Sequence, residues 1–405
     1  MVSVRKKPYI IPSYNLTGDL LSYLKCPLQY RYYSKAALPP SKPVQLWFGE
    51  FIHGVMEEAY VRWSETSSEY ERYKRFPWDW RTDIREIELL INERLRARGL
   101  HSYPGLFCPY PEPTNFKGKC PDKEHPHQQL VSRRTEAAIN TWGHHLFPLI
   151  EQVEINLKGT RPMPEYQENV SRSNYYGISG VADVISSIKV HDAPSGNLIS
   201  HFLDENSEIQ RIIHSTTDEE YEILIDYKGS RRPSTIFNED GSPTEWHYHE
   251  WQLLTYAGLR KQNPDAKPVI AGIIFYLNEL SPSLEDLKDF KKDVADDSTD
   301  ILPTGRDLTN LQNWNGSDAT ILSRQLREKR SIRVIPITDE KIQESFENFD
   351  HVVHEIEHSV LNEINGNQIP RCWNRRFNEK TCTACDAKTF CPDERCERLY
   401  SPQVP

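Results

Sequence analysis

The sequence predicts an α/β fold: a mixed central sheet flanked by helices. Three observations predict it. Residues 47–63 and 338–362 carry apolar side chains at helical spacing, and residues 83–98, 130–158 and 246–262 read as further helices. The runs at 175–190 (YYGISGVADVISSIKV), 220–230 (EYEILIDYKGS) and 268–280 (PVIAGIIFYLNEL) are β-branched and apolar, and Gly, Pro or Asp bounds them. The order is helices, two strands, a helix, a strand and a last helix, which puts helices on a shared sheet.

Near the N-terminus, Ser13 or Thr17 is placed to cap a short helix carrying Leu20, Leu21 and Leu24, and Pro27 restarts the chain. On the 47–63 helix, Phe48, Ile52, Val55, Ala59 and Trp63 share a face. The 101–129 stretch is Pro-rich and polar and reads as a loop. A second zinc site on its Cys108, Cys120, His125 and His127 is the alternative, but that spacing fits no established pattern. Residues 191–219 read as a hairpin tip or an extra excursion, and the acidic 281–315 as a surface insertion. Three regions result: 1–160, largely helical; 161–335, holding the strands and both insertions; and 336–405, a long helix with a Cys-rich tail.

The chain has 405 residues, enough for one large or two modest domains. With 37% hydrophobic and 27% charged residues it belongs among soluble proteins, and no run approaches the ~18 apolar residues that span a bilayer. The first residues show no apolar signal core, so a cytoplasmic protein without membrane partners is expected. A net charge of −10 counts mildly against a nucleic-acid binder, although a cleft inside an acidic protein can be locally positive. Of eight cysteines, five fall within 372–396, which in a long cytosolic chain reads as a metal or iron–sulfur site before it reads as disulfides.

The chemistry centres on a few polar residues in apolar surroundings. Asp183 interrupts the apolar run GISGVADVIS, where a carboxylate is costly unless it is paired or binds a cation. Asp226 and Lys228 stand two apart in EILIDYKGS, so on a strand they share a face. Two acids from neighbouring strands hold Mg²⁺ or Mn²⁺ through oxygen, and a lysine steadies a developing anion. An isolated D-x-K is short and common, and alone it reads as a same-face ion pair. The ordered set carries more: His53 in FGEFIHG, Gly180 and Asp183 in G-V-A-D, D-x-K, then Gln252 and Tyr256 four apart on one helical face.

This set resembles the RecB-like branch of the PD-(D/E)xK nucleases, which includes AddB-type helicase-linked repair nucleases and CRISPR adaptation nucleases. The resemblance implies a restriction-endonuclease-like core and a metal-dependent deoxyribonuclease. It implies that His53, Asp183, Asp226 and the Tyr227 carbonyl hold the metal, that Lys228 is catalytic, and that Gln252 and Tyr256 contact the active site and DNA. Ala182 stands where the family name has proline, as is usual in this branch. The 43-position gap between Asp183 and Asp226 exceeds the family's compact hairpin, so an insertion near 191–219 is expected.

The tail carries Cys382, Cys385 and Cys391 as C-x2-C-x5-C before a proline, and Cys26 lies far upstream. Read alone, the tail suits a zinc knuckle or an iron–sulfur cluster. A subset of the RecB-like family splits one cysteine before the core and three after it. That resemblance implies a [4Fe–4S] cluster on Cys26, Cys382, Cys385 and Cys391, joining the chain's two ends, with Cys372 and Cys396 as spectators. Three functions fit these features. The first is a DNA nuclease, an exonuclease or flap- and end-processing enzyme on single strands or free ends, working with a helicase, an integrase or another repair or defence protein. The second is a catalytically silent DNA- or partner-binding module on the same clasp. The third is a zinc-ribbon protein with an incidental D-x-K.

Overall fold

The computed structural model describes residues 11–35, 44–103, 105–109, 128–168, 170–189, 196–215, 218–238 and 241–392. Cys120, His125, His127 and Cys396 lie outside these residues. The described chain opens with a short strand, β1 (Ser13–Asn15). Asn15 caps the turn that follows by accepting from the Gly18 amide at 2.9 Å. Neither Ser13 nor Thr17 is that cap: Ser13 is already committed to the sheet opposite Gly177, so the helical turn starts beyond it. Two short helices come next, α1 (Leu21–Lys25) and α2 (Pro27–Lys35), the second restarted by Pro27.

Helices α3 (Val44–Ser64), α4 (Arg85–Ala97) and α5 (Leu130–Leu146) form one layer. The helix expected over 130–158 stops at Leu146 and gives way to strand β2 (Ile150–Pro162). Pro148 cannot continue a helix, and Val153, Ile155 and Leu157 then alternate with polar residues at period two. Strand β3 (Tyr175–Lys189) is followed by α6 (Leu198–Asp204) and α7 (Ser207–Ser215), so the 191–219 excursion carries two short helices rather than a hairpin tip. Strand β4 (Glu220–Lys228), helix α8 (Glu245–Arg260) and strand β5 (Val269–Tyr276) follow the expected order.

The acidic insertion is built from α9 (Leu284–Ala295), α10 (Gly305–Gln312) and α11 (Arg324–Ser331), and it has a small core of its own around Leu287, Phe290, Leu311, Leu322 and Leu326. It ends in a strand that patterning did not reveal, β6 (Ile332–Pro336), before the long α12 (Asp339–Ile364) and two short turns in the tail, α13 (Ile369–Cys372) and α14 (Glu379–Thr383).

The sheet is mixed. Strand β3 pairs antiparallel with β2 and β4, β4 pairs parallel with β5, and β5 antiparallel with β6. Strand β1 adds parallel to β3 over Gly177–Ser179. Because β2 runs along one edge of β3 for nearly its whole length, β1 and β4 share the other edge, and residues 180–183 between them have no strand partner on that side.

Two cores cover the two faces. Ile223, Ile225, Ile273 and Phe275 pack with α3–α5, while Leu224, Ile274, Tyr276 and Ile335 pack with α8 and α12. Strand β3 changes faces at its gap: Ala182 lies in the second core and Val184 in the first, although a regular pleat gives residues two apart the same face. Opposite Asp183, Glu154 of β2 has a left-handed φ of 50°, and Val153 and Ile155 are divided between the cores in the same way. Among the described residues no helix is long and apolar enough to cross a membrane.

One helix of the 191–219 excursion is pinned by a histidine. The Leu198 amide donates to His145 Nδ1 at 3.2 Å, and the Asn197 side chain donates to the His145 carbonyl at 2.7 Å. An acceptor nitrogen must be unprotonated, and burial together with neighbouring His144 pushes the His145 pKa down to about 4 from 6.5. The unfolded chain therefore takes up this proton first, and stability falls as pH drops from 6.5 toward about 4. Thermal unfolding across that window should show a steeper loss for wild type than for His145→Asn. Equal slopes would remove this account.

Candidate active site

The break in β3 brings the predicted residues together. Asp183 stands at the break, and the amide of Tyr227, two residues past the last β4 residue paired with β3, donates to Asp183 Oδ2 at 2.8 Å. From the α3 side, His53 Nδ1 approaches the same oxygen at 3.3 Å. Its ring meets the Tyr227 ring edge-on, with centroids 6.0 Å apart. From the opposite face, Gln252 of α8 bridges the D-x-K pair. Its Nε2 donates to Asp226 Oδ1 at 2.8 Å, and its Oε1 accepts from Lys228 Nζ at 2.8 Å. The Lys228 ammonium also lies 2.7 Å from Asp226 Oδ2. Tyr256, one turn along α8, is reached by Gln252 Nε2 at 3.4 Å.

Gly180 explains the first position of G-V-A-D. A Cβ there would come within 2.3 Å of the Tyr256 ring, so glycine lets α8 seat Tyr256 against the bare stretch of β3.

The electrostatics divide the two acids. Burial works against the charged form of Asp183, but the His53 imidazole, the Tyr227 amide and Lys228 outweigh it and hold the carboxyl below its usual range. For Asp226, burial dominates; Lys228 opposes it, the Asp183 charge adds to it, and the pKa is raised. Burial likewise opposes a charged His53, but the Asp183 carboxylate prevails and lifts the imidazole to about 9.

Asp226 Oδ2 is buried and has no hydrogen-bond partner, since the nearby ammonium is not aligned with it. A buried carboxylate oxygen whose contact is an unaligned ammonium at 2.7 Å, beside a second buried acid, is a donor arrangement that a divalent cation can share, and carboxylate with carbonyl oxygen suits Mg²⁺ or Mn²⁺. As the side chains stand, no three His, Cys, Asp or Glu groups converge at metal-ligand distance among the described residues.

Sequence reasoning did not single out Glu57 and Glu154. They line a narrow pocket with His53, Asp183 and Tyr227, and burial followed by the Glu154 charge raises the Glu57 pKa. The available signal was the four-residue spacing from His53 to Glu57 on α3.

The cysteines meet on the α8–α12 side. Cys26, Cys382, Cys385 and Cys391 all line one pocket, with Gln29, Tyr32 and Arg376. None of the four is in a disulfide. Cys372 is buried outside that lining, and so is Cys108. The chain ends are also joined without any metal: Arg376 donates to the Leu24 carbonyl at 2.7 Å, the Asp386 amide to the Tyr33 hydroxyl at 3.0 Å, and Trp373 packs against Tyr23 and Tyr30. The four thiols line one pocket but do not converge at metal-ligand distance as they stand; thiolate is the donor type that both iron–sulfur clusters and zinc take.

Compared with known families, residues 18–101 match the model described as the PD-(D/E)XK nuclease superfamily. That superfamily points to metal-dependent phosphodiester hydrolysis. The matched segment contains Cys26 and His53 and stops before Asp183, Asp226 and Lys228. No curated protein matches the chain.

Gly180→Ala tests the seating of α8. The added methyl overlaps the Tyr256 ring, and overpacking of this kind costs ~1–3 kcal/mol. A lower unfolding midpoint is expected. The same variant with Tyr256→Phe should gain nothing, because the overlap is with ring carbons. Recovery in that double variant would show that the hydroxyl, not the ring, is the constraint.

Proposed function

We propose that the chain is a metal-dependent deoxyribonuclease of the RecB-like branch that hydrolyses phosphodiester bonds in single-stranded DNA or at free DNA ends. The observation that supports this most is the convergence of His53, Asp183, Asp226, Lys228 and Gln252, drawn from both helical layers, on one break in the sheet edge. An ion pair without function needs neither Gln252 between its members nor a second buried acid beside it.

His53, Asp183, Asp226 and the Tyr227 carbonyl are the groups that would hold Mg²⁺ or Mn²⁺, which when bound supplies Lewis acidity and a more acidic water. The residues of the chain do the rest. Asp183 is held in its charged form by its neighbours, ready to ligate. The proton on His53 occupies the position of positive charge beside Asp183 and must leave before the imidazole can ligate, so affinity rises with pH. Gln252 fixes Asp226 and Lys228 in one orientation. Lys228 then presents its ammonium to the charge that develops on the phosphoryl oxygens or orients the attacking water. Tyr256, locked over Gly180, keeps Gln252 in register.

The cysteine pocket is proposed as the seat of a [4Fe–4S] cluster, with zinc as the alternative metal. Its role is structural: it closes the loop between Cys26 and the tail, and cross-links that close long loops constrain the unfolded chain most.

Two measurements test this reading. Purified protein incubated with Mn²⁺ and end-labelled single-stranded DNA should degrade it. Lys228→Ala should lower the rate by about 100-fold or more while leaving DNA binding by anisotropy within a few-fold, as expected for a group that acts on developing charge. Equal cleavage by the variant would sink the assignment. For the clasp, anaerobically purified protein should be brown, with a broad visible iron–sulfur absorption band. Cys385→Ser should lose that band and expose the tail to limited proteolysis. A colourless preparation carrying zinc would replace the cluster with the alternative metal.

A further inference from the structure

We propose that His354, His358 and Glu165 form a site for a divalent transition-metal ion of the zinc class, clamping the β2–β3 connection onto α12. The site shares no residue with the nuclease centre or the cysteine pocket, so it stands or falls independently of both.

The sequence DHVVHEIEHSV in α12 contains H-E-x-x-H, with His354 and His358 four residues apart and therefore on one face of the helix. The inward face of α12 is taken by Phe349, Val352, Val353 and Ile356, which leaves both imidazoles on the outer side. Their rings are nearly parallel, with centroids 6.4 Å apart. Facing them, the β2–β3 connection brings Glu165, whose Oε2 lies 3.7 Å from His354 Nε2. All three side chains line one open pocket, with Met163, Arg172 and Glu357.

The charges in that pocket are already sorted. Arg172 is bound to Glu357 at 2.8 Å, and Tyr14 donates to the same carboxylate, so the guanidinium is neutralised and Glu357 is occupied. His358 Nδ1 is met by the Asn362 side-chain amide at 3.2 Å, so Glu165, the His354 imidazole and His358 Nε2 are left as the donors. Two nitrogens and one carboxylate oxygen are a zinc-type donor set, with a water completing a four-coordinate ion. As placed, the three donors do not yet converge at metal distance. Closing the site takes movement of side chains that are free to move: the Glu165 side chain is 74% exposed and that of His354 37%.

In H-E-x-x-H hydrolases the glutamate serves as the base. Here Glu355 pairs with His351 at 3.7 Å and is absent from the pocket lining. The site is therefore a clamp and not a second hydrolytic centre.

The test uses the full chain titrated with Co²⁺, whose visible bands report ligation. On imidazole and carboxylate, Co²⁺ lacks the near-ultraviolet thiolate band that it would show on the cysteines. In an Asp183→Ala background, which disables the nuclease centre's own imidazole–carboxylate site, one equivalent of the thiolate-free type is expected. Its affinity should fall at least about 10-fold in His358→Ala and in Glu165→Gln and stay the same in Cys385→Ser. Zn²⁺ should slow proteolysis within residues 163–172 in wild type but not in His358→Ala. Both replaced side chains are on the surface, so loss of folding does not confound the reading. The site is overturned if only thiolate-type Co²⁺ binding is seen, or if affinity is unchanged in either histidine-site variant.

Discussion

A single hydrogen bond organises the centre of the molecule. Where β4 stops pairing with β3, the Tyr227 amide would lose its ladder partner, and an unsatisfied buried amide is costly. The Asp183 carboxylate takes that amide instead. A side chain thus replaces a backbone acceptor in the gap between β1 and β4 along the edge of β3. The substitution sets the position of the next turn of β4, and with it Asp226 on one side of Tyr227 and Lys228 on the other. It also fixes Asp183 itself, which no longer rotates freely once it accepts from the backbone.

The two helical layers act on this point from opposite faces. Helix α3 brings His53 to Asp183, and α8 brings Gln252 to Asp226 and Lys228. Neither layer alone would balance the buried charge. Asp183 is satisfied by an amide and an imidazole, whereas Asp226 keeps an oxygen without a hydrogen bond and an elevated pKa. Native folds leave few such groups, and those that persist concentrate where function requires them. The left-handed Glu154 opposite Asp183 belongs to the same bargain, because it lets β2 follow β3 as both strands exchange cores.

Much of this was legible in the sequence, for definite reasons. The apolar runs of β3, β4 and β5 are long enough to declare themselves, and Asp183, Asp226 and Lys228 stand out because a charge in such a run is expensive. The spacing of Gln252 and Tyr256 implied one helical face, and the Cys-rich tail was conspicuous by composition. Other features left no local signal. Strand β1 has three residues and β6 five, too short for periodicity to register, and both exist because β3 and β5 offer them an edge. Strand β2 was read as helix because its charged residues are also helix formers; only Pro148 and the alternation after it speak against helix, and tertiary pairing decides. Gly180 was visible as a letter, but its reason, the Tyr256 ring, lies 76 positions away.

The acidic balance of the chain looked unfavourable for a partner as negative as DNA, and the structure changes the weight of that argument. Lys228 is followed within a few residues by Arg231 and Arg232, and these are where the acidic insertion is attached. Arg231 pairs with Asp289 and Asp293, and Arg232 pairs with Asp300 while donating to the carbonyls of Arg330 and Ile332. The Arg232 amide is in turn held by Glu279, which also binds buried Arg330. Several of the carboxylates that make the net charge negative are therefore consumed in fastening the insertion to the loop that leaves Lys228. Paired at close range, they cast little field at the distance of a bound strand, since a neutralised pair decays faster than a charge and salt screens what remains. Net charge is a sum over the whole surface, but a polyanion responds to the local potential of the groove it enters. The same pairing gives the insertion a mechanical role: a helical module with its own small core braces the backbone immediately after Lys228, so the ammonium is positioned by Gln252 on one side and by an anchored chain on the other.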